Sequence, residues 1–333
     1  MTICFTSRTS NHRFAGAFQP EGSKMRRPSR LSLTSGVISL LLALAASPLF
    51  AGAPPSIVPG AKLETVYADA CFFEGPTWEP RTASLYFTAF GKEKADTKIL
   101  RLDEAGKVSV WLDNTEGVNG TYLARNGRLL AAQAFGHRVL SYTTGTHNPA
   151  QEVLLHDPAL NQPNDLCEAP NGDLYFSDPD FGHRTNSAIF LLRPGQPARK
   201  VVTDMPLPNG VEVSLDGHFL VVGDSFQKLW RSYPIQADGS VGVGREFFNP
   251  QVENRSDPDG LCVDERGNFY LAGRGGVWVV SPAGTELGFV PVPEFVSNVC
   301  FGGRDGRTLF LTCKGKLYRL ATTVRGAESI RAK

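Results

Sequence analysis

The sequence predicts an all-β protein, a six-bladed β-propeller with four strands per blade. Three observations carry that prediction. One motif recurs six times: a polar residue, a short strand, a tight turn and a second strand. The first polar residues of the copies are Glu74, Asn119, Asn164, Asn209, Asp259 and Ser297, which by subtraction stand 45, 45, 45, 50 and 38 residues apart. Between the copies lie short apolar runs, rich in β-branched and aromatic residues and bounded by Gly, Pro, Asn or Asp. A period of about 40–50 residues filled with short strands belongs to propeller blades and not to a helical solenoid.

The chain begins with different material. Arg26, Arg27 and Arg30 precede the apolar run GVISLLLALAA (36–46), and a small-residue segment, 51–53, comes after it. A basic region, an apolar region and an A-x-A-like site read as an export signal over 25–53. The run is shorter than the ~20 residues a membrane span needs, so stable insertion is not expected after processing. A retained anchor is the alternative. Met25 offers a start directly before the arginines, which would leave 1–24 outside the product. The expected location is periplasmic or extracellular.

The propeller is expected over 62–322. Its first repeat reads FEGPTWEPRTASLYFT from Phe73, with further strands at 98–102 and 108–112. The second reads VNGTYLARNGRLLAAQ from Val118, with strands at 138–142 and 152–155. The third is the clearest: PNDLCEAPNGDLYFSD from Pro163, its strands joined by an Asn171-Gly172 turn, then 188–192 and 200–203. The fourth (PNGVEVSLDGHFLVVGD from Pro208) and fifth (PDGLCVDERGNFYLAG from Pro258) repeat it closely. The sixth, VSNVCFGGRDGRTLFLT from Val296, supplies three strands and ends with 317–320. Residues 63–67 are expected to complete it as the fourth strand, closing a sheet edge that would otherwise stand open. Residues 323–333 read as a solvated C-terminal tail.

Composition narrows the partners. The 333 residues carry a formal charge of +1, with no block of like charge and no basic stripe. That balance points away from nucleic acid; the expected partner is a small-molecule substrate, and protein partners are left open. With export, Cys71, Cys167, Cys262, Cys300 and Cys313 remain, an odd number. Cys167, Cys262 and Cys300 each stand three places after their repeat's first polar residue. They are expected to pack as buried thiols; a Cys71–Cys313 bridge is open.

In a propeller the first strand of each blade lines the axis, so the six leading residues should ring one mouth of it. All are oxygen donors, a set suited to a hard divalent cation. Ca²⁺ heads the expectation, with Mg²⁺, Mn²⁺ or Zn²⁺ as alternatives, although zinc ordinarily wants His or Cys. Asn and Asp also close Asx turns, but Glu74 is no turn former. Gln133, His137, Asp178 and Asp224 fall at or just after second strands, on the neighbouring rim. Asp165 is a candidate base beside Asn164, or a structural hydrogen-bonding group of its loop. Without a G-x-S-x-G elbow a serine hydrolase is disfavoured.

The segments FEGP at Glu74, PND at Asn164, PNG at Asn209 and PDG at Asp259 resemble the SMP-30/gluconolactonase/LRE group of six-bladed propellers. The resemblance spans roughly 62–320. It implies a divalent cation, usually Ca²⁺, held by Glu74, Asn209 and Asp259, with Asn164 as ligand or substrate contact. It also implies that Asp259 is the acid/base or nucleophile; Asp165 is the second catalytic candidate. Asn119, Asn164, Gln133, His137 and Asp178 are the candidate substrate-binding residues. Where sugar-acid lactonases of the regucalcin-like branch carry an arginine, two places before Asn164, this chain has Gln162. The implied activity is metal-dependent hydrolysis of a lactone or related ester, sugar-derived. The alternatives are organophosphate or phosphoester hydrolysis on the same metal floor, or a binding propeller with a structural metal.

Overall fold

The computed structural model describes residues 52–91, 96–252 and 257–328. Nearly all of the 25–53 export segment lies outside them, as do residues 1–24 and the last five of the tail.

Each repeat opens with an inner strand that runs down from one face. The chain then turns at a residue able to take positive φ, most often Gly (Gly127, Gly172, Gly217, Gly267 and Gly306), and climbs back. In the third repeat Asn171 fixes that turn, its Oδ1 accepting the Asp173 backbone N–H at 3.1 Å. The first repeat has no glycine there and places Ala83 at φ 46° instead.

The first repeat holds β1 (Glu64–Glu79), β2 (Ser84–Phe90), β3 (Thr97–Leu102) and β4 (Val108–Leu112). The second is a four-stranded sheet of β5 (Val118–Leu123), β6 (Leu129–Gln133), β7 (Arg138–Tyr142) and β8 (Gln151–His156). The third holds β9 (Leu166–Glu168), β10 (Leu174–Asp178), β11 (Ala188–Leu192) and β12 (Arg199–Val202). The fourth is β13 (Pro208–Val213), β14 (Phe219–Asp224), β15 (Leu229–Pro234) and β16 (Arg245–Phe248). The fifth is β17 (Leu261–Val263), β18 (Phe269–Gly273), β19 (Gly276–Val280) and β20 (Glu286–Pro291). Within these sheets all pairs are antiparallel, from inner strand outward.

The sixth repeat brings a correction. It has β21 (Val296–Gly302) and the long β22 (Thr308–Ala321), but no separate sheet. The described residues form five sheets, not six: four of four strands, and one of six in the order β21-β22-β1-β2-β3-β4. The cause is two strands that each serve both neighbours. The second half of β1 pairs with β2 (Phe72↔Phe90 to Glu79↔Ser84), and its first half pairs with β22 (Glu64↔Arg319, Tyr67↔Leu317). Meanwhile β22 pairs through Cys313 with β21 and from Lys314 with β1. The ladder therefore runs unbroken from the last repeat into the first, and the architecture is an all-β propeller of five sheets.

The inner strands contact one another in a closed cycle, β1 to β5, β9, β13, β17, β21 and back to β1. Apolar layers fill the wedges between neighbouring sheets. One such layer joins Leu166, Tyr175, Phe176 and Ile189 to Val211 and Leu220, all buried. Burial of each such side chain is worth about 1.5–3 kcal/mol.

The five described cysteines are free thiols, so there is no Cys71–Cys313 bridge. The described part of the tail is not solvated. Val324 and Ala327 are fully buried, and the Ala327 N–H donates to Val263 O and the Glu265 N–H to Arg325 O. Among the described residues no helix is long and apolar enough to cross a membrane.

Candidate functional site

The leading residues sit at the heads of the inner strands, where a side chain can reach the axis. Glu74, Asn164, Asn209 and Asp259 are all buried; Asn119, on β5, is half-buried. Ser297 differs. Its Oγ donates to Phe73 O at 2.5 Å, so it fastens β21 to β1 and is withdrawn from the expected donor ring.

The next position along each strand shapes the floor. In four repeats it is glycine: 75, 120, 210 and 260. A Cβ at Gly120 would stand 2.5 Å from Asp165 Oδ1, and one at Gly260 2.0 Å from Asn298 Cγ. These glycines clear space for the two repeats that carry a side chain there, Asp165 and Asn298, both buried. Asn298 was not singled out from the sequence. Its carboxamide opposes the rise in pKa of both the Glu74 and the Asp165 carboxyl, while its Oδ1 accepts the Val299 N–H at 2.8 Å. The signal was present, since Asn298 occupies the slot of Asp165, but it was hidden behind Ser297.

Three carboxylates thus share one buried region. Loss of water raises Glu74 to about 8, with repulsion from Asp165 as the next cause. Burial likewise raises Asp165 to about 7. Asp259 is pushed well above the carboxylate range by burial, then by the charges of Glu74 and Asp165. The Asn209 side chain opposes the rise. Such a floor is short of positive charge.

The donor set fits a divalent cation. The Oδ1 atoms of Asn119 and Asn209 are buried without a hydrogen-bond partner, the state of an acceptor that a cation would satisfy. Asn209 is turned by its Nδ2, which donates to Ser225 Oγ at 3.3 Å; Ser225 Oγ in turn donates to Pro258 O. Among the described residues no group of three His, Cys, Asp or Glu side chains could hold a metal by itself. Any cation here relies on carboxamide oxygens beside Glu74 and Asp259.

The rim residues are engaged elsewhere. Asp178 accepts the backbone N–H groups of Asn161 (2.9 Å) and Gln162 (2.8 Å) and the Asn161 side chain; burial still raises it to about 6. Asp224 accepts the N–H groups of Phe226 and Gln227, each at 2.8 Å. His137 donates from Nδ1 to Leu160 O at 2.8 Å. Gln133 donates from Nε2 to Thr115 O at 2.9 Å, and its buried Oε1 has no partner.

Below the floor lies a cavity of about 390 Å³. Asp165 and Asn298 border its upper end, Glu212, Cys262 and Cys300 its walls, and Arg325 of the tail its lower end. Glu74, Asn209 and Asp259 do not line it, so it is distinct from the mouth that the leading residues face.

The model of the SMP-30/Gluconolactonase/LRE-like region matches residues 72–315. The gluconolactonase of Zymomonas mobilis is 24% identical over 300 residues, 79% of this chain and 82% of that protein. Pentonolactonase XacC of Haloferax volcanii is 26% identical over 245 residues, 73% of this chain and 81% of its own length. The solved structure of a gluconolactonase from Xanthomonas campestris superposes with a TM-score of 0.69 at 26% identity, covering 83% of this chain and 98% of that one.

Proposed function

Because the chain belongs to the SMP-30/gluconolactonase/LRE-like family, we propose that it is a lactonase-type hydrolase acting with a divalent cation, Ca²⁺ first among the candidates. The observation that carries the reading is the buried floor itself: Glu74, Asp165 and Asp259 together, with carboxamide oxygens of Asn119 and Asn209 lacking partners. The gluconolactonase and pentonolactonase among its relatives support a lactone, and sugar lactones are our first substrates to test.

Glu74, Asn164, Asn209 and Asp259 would hold the cation. When bound, it would polarise the scissile carbonyl and stabilise the negative charge that develops on its oxygen. The residues supply the proton traffic. Water adds to the carbonyl carbon, and a carboxylate takes its proton; the ring C–O bond then breaks, and the departing alkoxide recovers a proton from the same acid. Asp259 is the first candidate for that group. Asp165 is the second, since burial places its carboxyl near 7, where it can both accept and return a proton. Asn298 favours the ionised form of both Asp165 and Glu74. Asn119 and Gln133 Oε1 are the polar contacts left for substrate, with Asn164 serving there if it is not a ligand.

The test is a pH-indicator hydrolysis screen of sugar lactones, aryl esters and phosphotriesters, with and without chelator. Lactone cleavage that chelator abolishes is the expected result. Cleavage confined to phosphotriesters would replace the reading with phosphoester hydrolysis, and inertness toward every class would leave a binding propeller.

A further inference from the structure

The mouth above the floor is aromatic. Phe72 lies two residues before Glu74 on β1, and the register with β2 is unshifted there (Phe72↔Phe90, Phe73↔Ala89, Glu74↔Thr88). Alternation therefore puts Phe72 and Phe90 on the same face as Glu74, while Phe73 between them is fully buried in the core. Phe72 meets Phe295, which immediately precedes β21, with ring centroids 6.4 Å apart. Phe90 meets Phe135, on the turn after β6, edge-on at 6.3 Å. Phe72 and Phe90 stand directly opposite each other in the ladder, which puts the two pairs side by side at the head of the first repeat, and each ring belongs to a half-buried residue. On the turns of the third and fourth repeats at the same face, Phe181 is 42% and Phe226 54% exposed.

Several polar groups of this rim are held by their own loops, although Gln133 Oε1 has no partner. Both Asp178 oxygens, the Asp224 carboxylate, His137 Nδ1 and Gln133 Nε2 all hold backbone or neighbouring groups. A polyhydroxylated ligand needs a partner for each buried hydroxyl. The floor can offer a few; the mouth offers ring faces and edges. Sites that pair an apolar wall with a few convergent polar groups bind ligands of the same division.

We infer that the rings of Phe72, Phe90, Phe135 and Phe295 form a subsite for an apolar substituent carried by the lactone or ester, an alkyl chain or aryl ring lying beside the scissile carbonyl. This rests on the lactonase reading and narrows it: the preferred substrate is an apolar-substituted lactone or ester, and the bare polyhydroxy lactone is the poorer one.

The test compares δ-valerolactone with δ-decalactone, which has the same ring and a pentyl chain. The kcat/KM for δ-decalactone should be higher by at least about tenfold, the lower end of what one added methylene gives in a hydrophobic pocket. Phe135→Ala and Phe295→Ala should bring the ratio toward unity; Phe72→Leu, which keeps an apolar side chain, should retain part of it. A ratio at or below unity in the native protein overturns the subsite, as does an unchanged ratio in folded Phe135→Ala and Phe295→Ala. Hydrolysis of both lactones without preference therefore removes the subsite and leaves the lactonase. If no lactone is cleaved, the lactonase reading fails, and calorimetry with tetrahydropyran and its 2-pentyl derivative, neither hydrolysable, decides the subsite. The pentyl compound should bind at least about tenfold more tightly; equal binding overturns the inference.

Discussion

Asp259 and Asp165 can be separated at the level of single residues. Asp259→Asn keeps an oxygen donor but removes a charge and the ability to take a proton. Asn209→Ala removes a donor and leaves the carboxylates intact. If Asp259 is the acid/base, its Asn variant should stay about 10²–10⁴-fold slow even at saturating Ca²⁺. Asn209→Ala should recover much of its rate as Ca²⁺ is raised, because its defect is affinity. Rates across a Ca²⁺ titration, with occupancy tracked by calorimetry, check both. Full recovery of Asp259→Asn would pass the role to Asp165. The same carboxylates set a pH dependence of stability. Their folded values lie above the ~4 of an unfolded carboxyl, near 7 for Asp165 and 8 for Glu74. Raised values mean a contribution that is complete below about pH 4 and is lost as pH rises through 7–8. In chelator, Tm should therefore fall between pH 5 and 8, and added Ca²⁺ should flatten that decline. A Tm that rises over this range in chelator would contradict the crowding of three carboxylates.

The elements that matter most are the two shared strands. The first half of β1 covers the outer edge of β22 along Lys316–Arg319, with Glu64 and Arg319 paired at 2.9 Å on the surface. Removing residues through Tyr67 strips that cover and exposes a row of unpaired backbone groups. Aggregation of the truncated chain, read by light scattering and size exclusion, is the expected outcome. A monomer with unchanged Tm would show that the pairing adds nothing to stability. Replacing Glu64 alone should change little, since an exposed ion pair is worth about 0–1 kcal/mol.

At the scale of the molecule, the tail ties the last repeat to the fifth. Ala327 is fully buried among Leu261, Val263 and Phe269, and Gly326 lies so close to Phe301 that a Cβ would stand 2.3 Å from its Cβ. Ala327→Glu should cost at least about 1–3 kcal/mol through overpacking alone, measured by denaturant unfolding. It should also raise the reactivity of Cys262 and Cys300 toward a thiol reagent, because both line the cavity that the tail borders. Unchanged stability and unchanged thiol protection would mean that the tail only rests on the surface. Export remains an expectation at this same scale: N-terminal sequencing of protein from the periplasm or medium should place the mature start between Gly52 and Pro54.

By itself the sequence determined the repeat and its direct consequences: the strands expected in the second and third repeats to within a residue or two, a turn at Gly172, and oxygen donors at the heads of the inner strands. The strands expected at 63–67 and 317–320 are parts of the much longer β1 and β22. A repeat fixes the position that a residue holds within its own sheet, and Glu74, Asn164, Asn209 and Asp259 were legible for that reason. Only the tertiary structure decided what each side chain meets. Ser297 and Asp178 looked like site residues by position, yet one bonds to Phe73 and the other to the loop at Asn161. Asn298 was not singled out, yet it opposes the rise of two of the three carboxylates. The number of sheets was decided in the same way, because β1 and β22 each carry the ladder across a junction that no repeat length reveals. The physical reason is common to all: these contacts link residues of different repeats, or of strands far apart in the chain, and a one-dimensional pattern carries no record of which partner reaches a given hydrogen-bonding group first.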